Sequence, residues 1–136
     1  MSYNPISGRT FEDIIQGMLN FMGYNTKAHH TLHTRQTHIH AEIEHAKGKM
    51  KLHIECKHHS NEPVSVHEVE RFCSKVAIAR EKCEVDGGLL ISNTAFTPEA
   101  ISWCTRNCSF VQLKTYRQLI HFNARYKKLL SKFHNN

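Results

Sequence analysis

Residues 51 to 57, KLHIECK, place an acid and a base at the spacing of a β-strand. Successive side chains of a strand point to opposite faces, so Glu55 and Lys57 lie on one face, and Leu52, Ile54 and Cys56 lie on the other. Such a pair can be an ordinary exposed ion pair. It can also be half of a metal-dependent site for phosphodiester chemistry.

A second acid, Glu42, lies in the preceding stretch THIHAEIEH (37–45), whose strict alternation predicts a neighbouring strand. Facing side chains on paired strands come within about 5 Å, so two carboxylates there can share a cation. Mg²⁺ prefers oxygen ligands and keeps several waters. The spacing therefore indicates a Mg²⁺ site made by Glu42, Glu55 and the backbone carbonyl of Cys56, in which Mn²⁺ can substitute.

Two further residues have expected roles in such a site. Lys57 would orient or deprotonate the attacking water, or neutralise charge in the transition state. Glu12, early in the first predicted helix, would add a carboxylate if that helix packs across the end of the sheet. From spacing alone the competing interpretation is stronger, because alternating Glu and Lys also form an ordinary solvated hairpin surface.

Several histidines accompany the hairpin. Imidazole binds transition metals such as Zn²⁺ and Ni²⁺, so a histidine-rich metal-binding module is an alternative function. No HxxxH pair on a helix supports it, and solvent-facing histidines explain the pattern equally well. The residues concerned are His38, His40, His53, His58 and His59.

Helices and strands around the hairpin follow from periodicity. The order α-β-β-β-α-β-α-β-α predicts an α/β fold, a mixed central sheet flanked by helices. Gly23 ends the first helix, and Thr97 with Pro98 begins the third. The predicted helices cover residues 11–22, 66–80, 98–104 and 115–133, the last one basic. A short strand is predicted at the start of 24–36, before an irregular polar connection, and the other predicted strands lie near residues 37–45, 50–57, 87–93 and 109–113.

Composition limits the function classes. A chain of 136 residues predicts a single domain, 1–136, and a net charge of +6 with a pI near 9.2 favours an acidic partner such as nucleic acid. No apolar run approaches the roughly 18 residues of a membrane span, and the first residues lack the apolar stretch of a signal peptide. The expected location is the cytoplasm. The five cysteines form no CxxC pair, which favours reduced, mostly buried thiols.

Three blocks of sequence together resemble the PD-(D/E)XK nuclease superfamily, and within it the Mrr-type restriction endonuclease domain. GRTFEDIIQGMLNFMGYNT is similar to the family's opening helix, and HAEIEHAKGKMKLHIECKHH to its catalytic hairpin. GGLLISNTAFTPEAISWC is similar to its strand and following helix, and SFVQL with TYRQL to its closing strand and helix. The resemblance covers about residues 8–119, which would be the core of the domain.

The resemblance implies an αβββαβ core, Mg²⁺-dependent cleavage of DNA phosphodiesters and frequent dimerisation. Glu55 and Lys57 match the family's E-x-K, and Glu12 matches an acid of the opening helix. The hairpin's first acid, ordinarily aspartate, falls on Glu42, thirteen residues before Glu55. His40 is the alternative occupant of that position, and the site would then lack one carboxylate.

Two functional hypotheses follow. The first is a Mg²⁺-dependent DNA endonuclease. The second is a nuclease-fold protein that no longer cleaves and instead binds nucleic acid or serves as an assembly partner. In both, basic residues around the hairpin would follow DNA phosphates, chiefly Lys47, Lys49, His58 and His59.

Overall fold

The computed structural model describes residues 8–30, 37–46 and 48–124. The predicted order of elements is confirmed, and helical residues 116–124 follow the last strand. Lys47 and the predicted helical residues 125–133 lie outside the described residues. The elements are α1 (Gly8–Phe21), β1 (Asn25–His30), β2 (Thr37–His45), β3 (Gly48–Lys57), α2 (Val66–Glu81), β4 (Gly87–Ser92), α3 (Pro98–Asn107) and β5 (Val111–Thr115).

The five strands form one mixed sheet in the order β1-β2-β3-β4-β5. The β1–β2 and β2–β3 pairs are antiparallel, whereas the β3–β4 and β4–β5 pairs are parallel. Parallel neighbours need a crossover connection, and α2 and α3 supply the two crossovers. The predicted mixed sheet with flanking helices is therefore confirmed.

Helices cover both faces of the sheet. On one face, Phe11 and Ile15 of α1 pack against Ile39, Ile54 and Ile91. The opposite face carries the second core cluster, built mainly by α2, α3 and β4. Burial on both faces accounts for the continuous apolar run of β4.

Local signals place the helix ends near their predicted positions. Ser65 caps α2 in a reciprocal capping box with Glu68, and Thr97 caps α3 by accepting a hydrogen bond from the Ala100 amide. Gly23, after α1, has a φ of +99°, which suits glycine. Helix α1 begins at Gly8, about one turn earlier than predicted.

A glycine in β4 sets the position of α2. A Cβ atom at Gly88 would lie 2.6 Å from Val76 Cγ2 and 3.0 Å from Phe72 Cε2. Because Gly88 has no side chain, α2 packs directly onto the sheet at this point. Gly88 is also the β4 neighbour of His53, so the same contact brings α2 beside the candidate site.

All five cysteines are free, and Cys73, Cys104 and Cys108 are buried, as expected for reduced thiols in a core. None of the helices in the described ranges is both long and apolar enough to cross a lipid bilayer.

Candidate active site

Glu55 is the one charged residue that is buried in the part of the chain that the structure describes. It lies near the end of β3, on the face of the sheet that α2 covers. The alternation of β3 turns Ile54 toward α1 and Glu55 toward α2. The sequence predicted this shared face for Glu55 and Lys57, but not that a helix would bury the carboxylate.

Three basic side chains surround the buried carboxylate. Lys75 Nζ lies 3.0 Å from Glu55 Oε1, and Lys57 Nζ lies 3.9 Å from Oε2. His53 Nε2 is 3.7 Å from Oε1, which is too long for a hydrogen bond. A buried ion is stable only with partners of opposite charge. Lys75 of α2 is the closest such partner of Glu55.

These neighbours keep Glu55 ionised. Burial by itself raises the pKa of this carboxyl, but the proximity of His53 and Lys75, and then of Lys57, lowers it further than burial raises it. The resulting pKa is about 2. Glu55 is therefore an anion at every pH at which the protein would work.

The strand register corrects the expected position of Glu42. His45 pairs with Gly48, so the chain reverses between these two residues, and Glu42 faces Lys51. A turn centred between 48 and 49 would have been needed to place Glu42 opposite Glu55. Lys51 precedes Glu55 by four residues, about 13 Å along the strand.

The contacts of Glu42 are also outside the expected site. His40 donates a hydrogen bond to its carboxylate at 3.1 Å and thereby lowers its pKa, and Lys49 Nζ lies 3.8 Å away. His40 itself faces His53. Neither candidate for the first acidic position therefore lies opposite Glu55.

His38 occupies the position directly opposite Glu55. Its ring stacks between His29 and His53, with centroid distances of 5.1 and 4.9 Å, and His53 in turn lies 5.7 Å from Phe72. Burial lowers the pKa of His38, as do the charges of His53 and His29. We call His29, His38 and His53 the histidine row, which the alternating pattern alone did not predict because it depends on the register of three strands.

Glu12 lies with the α1 side of the sheet. After burial, the charge of Glu12 is the next cause that raises the pKa of the Cys56 thiol, so its carboxylate is close to Cys56. The side chains of Cys56 and Glu55 point to opposite faces of β3. The charge of Glu55 raises the pKa of the same thiol, so Glu12 and Glu55 both lie near Cys56.

These residues do not fit the expected Mg²⁺ site. Mg²⁺ needs hard oxygen ligands in an octahedral arrangement, yet an imidazole, His38, stands where a second carboxylate was expected. One oxygen of Glu55 is already paired with Lys75. Among the described residues, no three His, Cys, Asp or Glu side chains converge as metal ligands.

The expected DNA-binding residues do not form one track. The His58 ring lies tilted against that of Phe11, with 5.9 Å between the centroids, whereas His59 Nε2 contacts Glu68 at 2.9 Å. Lys49 lies near the start of β3, eight residues or about 26 Å from Lys57. Of the members of this set that the structure describes, His58 and His59 are therefore close to the end of β3 that carries Glu55, and Lys49 is not.

The connection after β4 has a structural role. The Asn93 side chain accepts a hydrogen bond from the His59 amide and donates one to the His59 carbonyl. Thr94 donates to the Glu62 carbonyl. These bonds fix the loop that follows Lys57, so the side chains of this connection serve packing.

Comparisons with known proteins agree on family and fold. The family model of the Mrr catalytic domain, described as restriction endonuclease, matches residues 4–122. A solved protein of unknown function, AF1548, has a TM-score of 0.61 at 20% identity, covering 87% of this chain and 66% of its own. No curated protein matches the chain significantly.

Two further solved structures share the fold. The DNA modification-dependent restriction endonuclease AspBHI has a TM-score of 0.56 at 14% identity, covering 81% of this chain and 29% of its own. EndoMS, in its apo form, has a TM-score of 0.53 at 16% identity, covering 76% and 44%. This chain therefore spans less than two thirds of the structures it matches, and the likeness concerns the fold.

Proposed function

This chain belongs to the restriction endonuclease family, whose model covers residues 4–122, and we propose that it is a DNA endonuclease domain. The observation that carries the proposal is the buried, ionised Glu55 beside Lys57 at the end of β3. Both residues match the E-x-K of the family's catalytic hairpin. DNA as the substrate class is supported by the net charge of +6 and by the fold shared with AspBHI, a DNA modification-dependent restriction endonuclease.

The proposed roles use the chain's own residues. Lys57, partly exposed, donates to the phosphate and neutralises the charge that develops on it. Glu55, whose Oε2 lies 3.9 Å from this ammonium, holds it in position. The family generally uses divalent metal ions, so we expect the activity to depend on Mg²⁺ or Mn²⁺.

A second function is favoured by two specific observations, namely His38 opposite Glu55 and Lys75 bound to it. A site without a second carboxylate binds hard cations weakly. In this candidate function the domain keeps the nuclease fold and binds nucleic acid without cleaving it.

Nicking of supercoiled plasmid in Mg²⁺, in Mn²⁺ and in EDTA separates the two candidates. For the endonuclease we expect nicking that falls at least about 100-fold in Glu55→Gln and in Lys57→Gln. Glu42→Gln is the matched control, because Glu42 faces Lys51 and not Glu55, and we expect it to nick like the wild type. Thermal unfolding checks that each variant is folded.

Two other outcomes decide against cleavage by this site. Nicking that persists in Glu55→Gln would place the activity elsewhere or in a contaminant. Salt-dependent DNA binding without nicking in any of the three conditions would establish the second candidate. If the protein neither binds nor nicks DNA in any of the three conditions, both candidate functions are excluded. The dimer that the resemblance implies remains a prediction for sedimentation analysis.

A further inference from the structure

The loop after β3 brings a histidine into contact with a carboxylate of α2. His59 Nε2 lies 2.9 Å from Oε1 of Glu68, in the first turn of that helix. Burial raises the pKa of Glu68, but the hydrogen bond from the Ser65 amide and the contacts with His59 lower it further. An ionised carboxylate only accepts hydrogen bonds, so Nε2 of His59 carries the proton that it donates to Glu68.

This contact sets the tautomer of the ring. A neutral imidazole protonated at Nε2 presents Nδ1 as an acceptor. The carboxylate of Glu62 lies 3.9 Å from Nδ1, too far for a hydrogen bond, and its side chain is 74% exposed. The side chain of His59 is itself 23% exposed, so water reaches the ring. Nδ1 is therefore available to accept a proton.

Asn93 fixes the position of His59 relative to Lys57. The Asn93 amide donates to the Lys57 carbonyl at 3.2 Å. Its side chain accepts from the His59 amide at 2.7 Å and donates to the His59 carbonyl at 2.8 Å. The charge of Lys57 also lowers the pKa of Glu68, so the ammonium is within electrostatic reach of the His59–Glu68 pair. The pair thus adjoins the lysine of the E-x-K.

The proposed reaction leaves one role without a residue. Hydrolysis of a phosphodiester requires a group that takes a proton from the attacking water. Lys57, which acts as an ammonium donor to the phosphate, does not accept a proton at the same time. Glu55 is already paired with Lys57 and Lys75. Imidazole is the commonest general base in enzymes, and a carboxylate bound to its other nitrogen stabilises the imidazolium that forms.

We infer that His59 is the general base of the proposed cleavage, and that Glu68 is a positioning residue that holds its ring. Nδ1 takes a proton from water as the water oxygen bonds to phosphorus. The bond from phosphorus to the leaving ester oxygen breaks, and that oxygen keeps the electron pair and takes a proton from solvent. The imidazolium then releases its proton to solvent. The inference rests on the proposed function, because it assigns a role within that reaction.

The pH dependence of single-turnover nicking tests the base. A base acts only when it is unprotonated, so the wild-type rate should rise with pH within the range of about pH 5 to 8 and then level off. His59→Gln should lose this rise and nick about 100- to 1,000-fold more slowly at the plateau, with unchanged affinity for DNA. Added imidazole should restore part of the activity of His59→Ala, which a purely structural role would not allow.

Glu68→Gln tests the positioning residue. Glutamine also completes a capping box, so α2 should remain capped. Nicking should slow by about 10-fold, and the rise in rate should move to lower pH, because the imidazolium loses its anionic partner. His67→Gln, an exposed histidine beside Glu68, is the matched control and should nick like the wild type. Thermal unfolding checks the fold of each variant.

Three results would overturn the inference. His59→Gln nicks like the wild type or keeps the same rise with pH, its loss of nicking is matched by an equal loss of DNA affinity, or imidazole restores nothing to a folded His59→Ala. Each of these leaves the endonuclease in place, because the wild type still nicks and still depends on Glu55 and Lys57. A wild type that nicks under no condition removes the proposed function, and the role of His59 with it.

Discussion

Glu55 is a carboxylate that the fold buries and keeps charged. An isolated ion in a protein interior would take up a proton, because desolvation penalises its charged form. Two ammonium groups and an imidazole prevent this here, and the group from α2 is the closest of them. The charge is therefore a product of packing between a strand and a helix distant in sequence.

The low pKa of Glu55 predicts how stability depends on pH. The folded-state pKa, about 2, is below the ordinary value of 4.5, so the stabilisation is complete above the latter and is lost as pH falls toward 2. Urea unfolding of wild type and Glu55→Gln should therefore differ by about 2 to 3 kcal/mol more at pH 7 than at pH 2. An equal difference at both pH values would show that Glu55 titrates normally.

At the level of elements, the turn between β2 and β3 decides which residue joins the site. Shifting a hairpin by two residues preserves the face of every side chain but changes its partner. The alternating pattern therefore predicted the face of Glu42 correctly, but it could not predict which residue of β3 lies opposite Glu42. The reversal of the chain between His45 and Gly48 places Glu42 opposite Lys51 and His38 opposite Glu55.

The contact of α2 with β4 predicts opposite effects at two glycines. Gly88→Ala should lower the free energy of unfolding by about 1 to 3 kcal/mol, because the new Cβ would contact Val76 and Phe72 at close range. Gly17→Ala is the matched control, since a Cβ added at this position of α1 would meet no atom within 4 Å, and it should raise stability by about 0.5 to 1 kcal/mol.

Chemical denaturation of both variants measures these changes, and DNA binding of Gly88→Ala reports whether the altered contact affects the site. A stable Gly88→Ala protein with unchanged DNA binding would show that α2 does not need this close approach to position Lys75.

For the whole molecule, the net charge of +6 is consistent with a polyanionic partner, and the fold concentrates part of it at one end of β3. Lys57 and Lys75 are held there, while His58 and His59 lie in the following loop. Lys49 lies at the other end of the strand and pairs with Glu42. A DNA backbone would therefore contact the Glu55 end of the sheet.

This distribution predicts a strong dependence of DNA affinity on salt. Each neutralised phosphate contributes about 0.9 to the slope of log K against log salt, so Lys57 and Lys75 alone require a slope magnitude of about 2 or more. Anisotropy titrations between about 50 and 200 mM salt, an ordinary working range, measure it. A slope near zero would mean that these lysines do not contact phosphate.

The amino-acid sequence by itself determined the order of the elements, the two caps Thr97 and Gly23, and the shared face of Glu55 and Lys57. These features depend on periodicity and on interactions with backbone groups a few residues away, so the local sequence is enough to determine them. The resemblance to the nuclease superfamily also came from the sequence, and the family model bears it out.

Only the tertiary structure decided what surrounds Glu55. Lys75 reaches it because α2 packs closely over Gly88, and His38 faces it because one turn fixes the register of two strands. Neither relation is encoded within a few residues of Glu55, since each joins segments that meet only when the sheet and its helices assemble. The residues were visible in the sequence, but their distances depend on that assembly.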